Sequence, residues 1–142
     1  MGKHRILVPV DGSERCNRAV KYVISLSQEL GPAEIHLINV EPAPVGWQTH
    51  DMARETIQAH AKELAMEASA GARALLDEAG LKYSTHTEMG SPAETIARVA
   101  KELDCDSIVM GTHGRTVVGK LVLGSVASDV LHLVDVPVTL VK

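Results

Sequence analysis

The chain has 142 residues, a formal net charge of −4, 45% hydrophobic residues, 2% aromatics and no Phe. That length suits one domain, and such a domain buries roughly 70% of its unfolded surface, so it needs no disulfide or metal to fold. The acidic balance, without a Lys/Arg cluster, excludes a general nucleic-acid binder, and no apolar run is long enough to insert into a membrane.

Arg5-Ile-Leu-Val-Pro-Val10 is a compact β run near the start of the chain. No signal-peptide core precedes it, so a cytoplasmic location is expected. From Ser13 to Leu30 the pattern turns helical, with Ala19, Val23, Leu26 and Leu30 three or four apart and Gly31-Pro32 as the stop. Ile35 to Val40 forms a second strand, followed by a loop with Pro and Gly that holds the single tryptophan, Trp47. That loop leaves the strand at the ligand end, so we expect it to form part of a pocket rim. Asp51 opens an Ala- and Glu-rich helix reaching about Ala79, with Gly71 inside it as a break or a close contact and Gly80 as its C′ cap.

Leu81 to Glu88 is a more polar, alternating strand, expected near a sheet edge. Ser91-Pro92-Ala93-Glu94 reads as a helix start with a capping box, and that helix runs to about Leu103. Ser107 to Gly111 is a fourth strand. A long loop follows, then a short helix from about Ser125 to Leu133 and a last strand from Val136 to Val141. The order βαβαβαβαβ predicts an α/β fold: an open, parallel, five-stranded, Rossmann-like sheet with helices on both faces. Pro137 fits an edge strand. An apolar edge at the end of the chain invites pairing, so a homodimer through Val136–Val141 is expected. Cys16 and Cys105 form no C-x-x-C pair and read as two buried thiols.

In such a sheet ligands bind at the carboxyl ends of the strands, where the strand order switches. Strand 1 ends in Pro9-Val10-Asp11-Gly12-Ser13 and strand 4 in Met110-Gly111-Thr112-His113-Gly114. Gly111, Gly114 and Gly124 punctuate the connection from strand 4 to the last helix, and Ser125 opens that helix. Glycines allow close backbone approach and positive φ. A helix N-terminus supplies unpaired N–H donors and the favourable end of the dipole. Together they predict a phosphate cradle built from backbone amides. Gly114-Arg-Thr-Val-Val-Gly119-Lys120 approaches the P-loop pattern, but Leu121 stands where that loop needs a hydroxyl for Mg²⁺. Asp11 has a second reading as part of the cap of the first helix.

Gly111-Thr-His-Gly114, the nine residues Arg115 to Leu123, and Gly124-Ser125 match the G-x2-G-x9-G-(S/T) motif of the ATP-binding universal stress proteins. With Val10-Asp11-Gly12-Ser13 near one end and Val136-Pro137-Val138 near the other, essentially the whole chain resembles that family. The resemblance implies ATP, with ADP or AMP as alternatives and Mg²⁺ or Mn²⁺ as a companion ion. It implies that Asp11 and the Val40 backbone meet adenine, with Pro9 and Val10 lining the pocket. Met110 and Gly111 would pack beside the ribose. Gly114, Gly124, Ser125 and Val126 would bind phosphate, with His113 and Arg115 in the same loop. It further implies a homodimer and a nucleotide-dependent stress regulator acting through an unknown protein partner.

No catalytic set is evident. No G-x-S-x-G elbow surrounds a serine, and the seven histidines show no paired ligand spacing, so most read as solvent-facing or locally satisfied. No water-positioning carboxylate for ATP hydrolysis stands out. Three classes therefore remain: an ATP-binding regulator, a slow ATPase on the same pocket, and a dimeric interaction protein without a nucleotide.

Overall fold

The computed structural model describes residues 3–42, 51–112 and 123–142, with side chains in the second helix described from residue 54 onward. The described elements are β1 (His4–Pro9), α1 (Glu14–Leu30), β2 (Ala33–Glu41), α2 (Asp51–Glu78), β3 (Tyr83–Met89), α3 (Pro92–Glu102), β4 (Ser107–Gly111), α4 (Ser125–Leu133) and β5 (Val138–Val141). The strands form one parallel sheet in the order β3-β2-β1-β4-β5. The order reverses between β1 and β4, which sets the switch point there.

Strand alternation divides the core. Ile6 and Val8 of β1, Ile35 and Leu37 of β2 and Val109 of β4 face Ala19, Val20 and Val23 of α1 and Ala72 and Leu76 of α2. Leu7, Ile38, Ile108 and Met110 point the other way, onto Ile96 and Val99 of α3 and Ala127 and Val130 of α4. Side chains two apart on a strand share a face, so the central strands read as continuous apolar runs that feed both cores. With no Phe in the chain, small Ala and branched Val and Ile fill the space between sheet and helices.

The helix ends follow the glycines. Gly80 sits at φ 72, its N–H bonds the Asp77 carbonyl and the Leu81 N–H bonds that of Leu76, which closes α2 in the expected left-handed cap. Gly71 does not break α2. A Cβ there would lie 3.1 Å from the Asn17 amide, so it marks where α2 packs on α1.

Two expectations change. Ser91 is the N-cap of α3, with Pro92 in the first turn, but its hydroxyl makes no capping bond; the residue is exposed, so leaving that bond unmade costs little. The last strand begins at Val138 rather than Val136, because Pro137 has no N–H to give the ladder. Its carbonyl still accepts from Ile108 N at 3.0 Å. β3 and β5 occupy the two edges, as the sequence patterns implied, and Cys16 and Cys105 are buried free thiols.

Candidate functional site

A cleft of about 410 Å³ opens at the carboxyl ends of β1, β2 and β4. Its first wall is the end of β1. The Val10 N–H bonds the Ile38 carbonyl at 2.8 Å, and the Asn39 side-chain amide donates to the Val10 carbonyl at 2.8 Å. Val10 is thus pinned from both sides. Next, the Asp11 carboxylate accepts the Ser13 N–H at 2.9 Å, Gly12 takes φ 85, and the Ser13 hydroxyl accepts the Cys16 N–H at 3.2 Å to cap α1. Asp11 therefore organises the turn into α1 while it lines the cleft.

The opposite wall is the N-terminus of α4. Gly124 is its N-cap and brings no side-chain oxygen. The first-turn N–H groups at Ser125, Val126 and Ala127 have no helical carbonyl to bond, and all three residues line the cleft. The Gly124 N–H is anchored to the Thr112 carbonyl at 2.6 Å, which ties the helix start to the end of β4. Neither glycine is there for positive φ. Gly124 has φ −64, and Gly111 is absent from the positive-φ positions. Gly111 serves close approach instead: a Cβ on it would lie 3.0 Å from Arg15 Cβ and 3.2 Å from the Arg15 carbonyl group.

The structure brings Pro9, Val10 and Asp11, then Val40, together with Met110 and Gly111 and with Gly124, Ser125 and Val126, around this one cleft. His113, Gly114 and Arg115 lie outside the described residues, as does the loop with Trp47. The sequence reading missed Asn39, Glu41 and Thr112, all buried polar residues on the cleft wall. Their signal was a polar side chain at the carboxyl end of an otherwise apolar strand. Pro92 and Ile96 of α3 form an apolar wall. Burial pushes the Cys16 thiol up, so it lines the cleft as a neutral group. One end of the cleft thus carries carboxylate acceptors, at Asp11 and Glu41, and the other carries helix N–H donors. Among the described residues no group of three His, Cys, Asp or Glu could hold a metal ion, and no helix is long and apolar enough to cross a membrane.

A sequence profile described as the universal stress protein family matches residues 3–142. The chain belongs to the universal stress protein family. Universal stress protein MJ0531 of Methanocaldococcus jannaschii is 34% identical over 139 residues, which cover 97% of this chain and 81% of that protein. The structure of MJ0577 from the same organism superposes with a TM-score of 0.80 at 28% identity, over 100% of this chain and 97% of the other. The universal stress protein of Archaeoglobus fulgidus, solved in complex with dAMP, gives 0.66 at 26% identity with both chains fully covered. The family membership and the five-stranded parallel architecture agree with the sequence reading.

Proposed function

We propose that this chain is a single universal stress protein domain that binds ATP in the cleft and acts as a nucleotide-dependent regulator of a stress response. The observation that carries this is the polarity of the cleft. An acceptor-bearing end suits the amino and hydroxyl groups of a nucleoside, an uncapped helix N-terminus suits phosphate, and both face the same 410 Å³. The dAMP complex of the Archaeoglobus relative supports an adenine nucleotide as ligand. In this reading Asp11 and the Val40 backbone hold adenine, Met110 and Gly111 flank the ribose, and Gly124, Ser125 and Val126 hold phosphate, joined by Gly114, His113 and Arg115. ADP and AMP fit the same features with fewer phosphates. Mg²⁺ or Mn²⁺ would arrive on the phosphates rather than on a protein cage.

The same reading places the protein in the cytoplasm as a homodimer. β5 pairs with β4 along one side only among the described strands, and all four of its residues are half-buried and mostly apolar. A second copy of Val136–Val141 would cover that edge. Such a dimer would signal to a protein partner according to the nucleotide it holds.

Calorimetric titration of the purified protein with ATP tests the reading. Saturable binding is expected, with phosphate release well below about 1 per second, the low end of ordinary turnover. Faster steady release would make the protein an ATPase, and no heat of binding at millimolar ATP would reject the nucleotide.

A further inference from the structure

We propose that Arg15 is a phosphate-recognition residue whose guanidinium reads the outer phosphates of the bound nucleotide, so that the cleft prefers a nucleoside triphosphate to a monophosphate. This rests on the nucleotide reading above and adds a side-chain determinant outside the glycine motif.

Arg15 lies in the first turn of α1. Its backbone and Cβ are seated directly on Gly111 at the end of β4, with no room for a side chain between them. From that fixed base its Nη1 donates to the Thr112 hydroxyl at 3.2 Å. Thr112 lines the cleft, and its carbonyl accepts the Gly124 N–H at the start of α4. The guanidinium and the donor end of the cleft therefore flank a single residue.

The chemistry of the head group points the same way. Arg5 is paired with Glu34, and Arg98 with Glu88 and Glu102. Arg73 donates to the Ser69 hydroxyl and the Met66 carbonyl, away from the cleft. Arg15 bonds, among the described residues, to a hydroxyl and to no carboxylate. A guanidinium is a fork of five donors that matches a phosphate edge in bidentate fashion. One phosphate satisfies the N–H groups of α4. A chain of phosphates extending from them past Thr112 needs a cation, and Arg15 is fixed at that spot.

The test compares the affinities of ATP and AMP, by calorimetry, for wild type, Arg15→Gln and Arg15→Lys. Wild type should bind ATP more tightly than AMP. Arg15→Gln should weaken ATP by about tenfold or more, the scale of a lost charge-assisted hydrogen bond, and leave AMP within about twofold, the usual context scatter of one contact. Arg15→Lys, which keeps the charge but loses the fork, should fall between. Equal losses for ATP and AMP would reduce Arg15 to a packing contact between α1 and β4 and overturn the proposal. So would an unchanged ATP affinity in Arg15→Gln. If wild type binds neither nucleotide, the nucleotide reading fails and takes this inference with it, whereas wild-type binding with an insensitive Arg15→Gln sinks this inference alone.

Discussion

Two polar regions interrupt the apolar interior of this sheet, and they are built on opposite plans. Toward the edge formed by β3, Glu34 accepts from Arg5 at 3.2 Å and from His36 Nε2 at 2.9 Å, and His36 Nδ1 meets His86 Nε2 at 2.9 Å. An ionised carboxylate only accepts, so His36 donates to Glu34 through Nε2, and its Nδ1 shares a single proton with His86 Nε2. That network closes on itself. At the carboxyl ends of the strands, by contrast, Asp11, Asn39 and Glu41 have local partners yet line open volume together with the first N–H groups of α4. Buried polar groups that find one another hold a fold together; polar groups arranged around a cavity are a site for something else. The difference implies that substitutions in the network change stability and leave nucleotide affinity alone, while substitutions in the cleft act chiefly on nucleotide affinity.

The largest expected effect is His36→Ala. The residue is 6% exposed, and its removal leaves a cavity and strips Glu34 and His86 of a partner. Urea denaturation should show a loss of about 2–3 kcal/mol, chiefly the cost of the packing lost with a buried side chain, with ATP affinity within about twofold of wild type. A large loss of affinity would erase the separation between the two regions.

Asp11→Ala sharpens the other side. ATP affinity should fall about tenfold, or about 1.4 kcal/mol, in a binding titration. Stability should fall by about 1 kcal/mol, the cost of a disturbed cap. Unchanged binding would leave Asp11 as a turn residue only.

A smaller effect is expected from pH. Burial, followed by the nearby His36, lowers the pKa of His86 below its usual 6.5. The folded protein therefore prefers neutral His86, and the unfolded chain takes up the proton first on acidification. That stability is present above pH 6.5 and is lost as pH falls through the lower folded value. Glu34, lowered chiefly by its bond from His36, adds a loss in the same direction below its own range. Thermal melts at pH 7 and pH 5.5 should show a fall in Tm for wild type that is reduced in His86→Gln. Equal falls would place the acid-sensitive step elsewhere.

The smallest change belongs to Arg98→Ala. Its pairs with Glu88 and Glu102 are solvent-exposed, and such pairs contribute about 0–1 kcal/mol. A chemical melt should barely move and nucleotide binding not at all. A loss above about 1 kcal/mol would show that these two outer pairs brace the network around His36.

The fold was legible because local signals and global pattern agree. Apolar runs of strand length alternate with helical periodicity, and Gly31 and Gly80 stop helices where they were expected to. The position of the cleft was legible as far as backbone chemistry goes, since a glycine-bearing strand-to-helix connection at the switch point marks it without any long-range information. What was missed depends on register. His36 pairs across β2 and β3 with Ser84, which puts His86 diagonally beside it on the same face; a separation of 50 residues hides that contact from any spacing rule. Asn39 and Glu41 are buried by elements distant in sequence, Asn39 beside α2 and β3 and Glu41 beside α3, which their own segment does not announce. Of the two reasons the sequence offers for glycine at 111, close approach and positive φ, the structure shows the first, as clearance for α1.

The central claim is most directly tested on the protein purified without added nucleotide, then denatured, with any released small molecule identified by chromatography and mass. The account predicts an adenine nucleotide near one per chain, ATP in the simplest case. A protein that releases none, and takes up none from millimolar ATP, would contradict it.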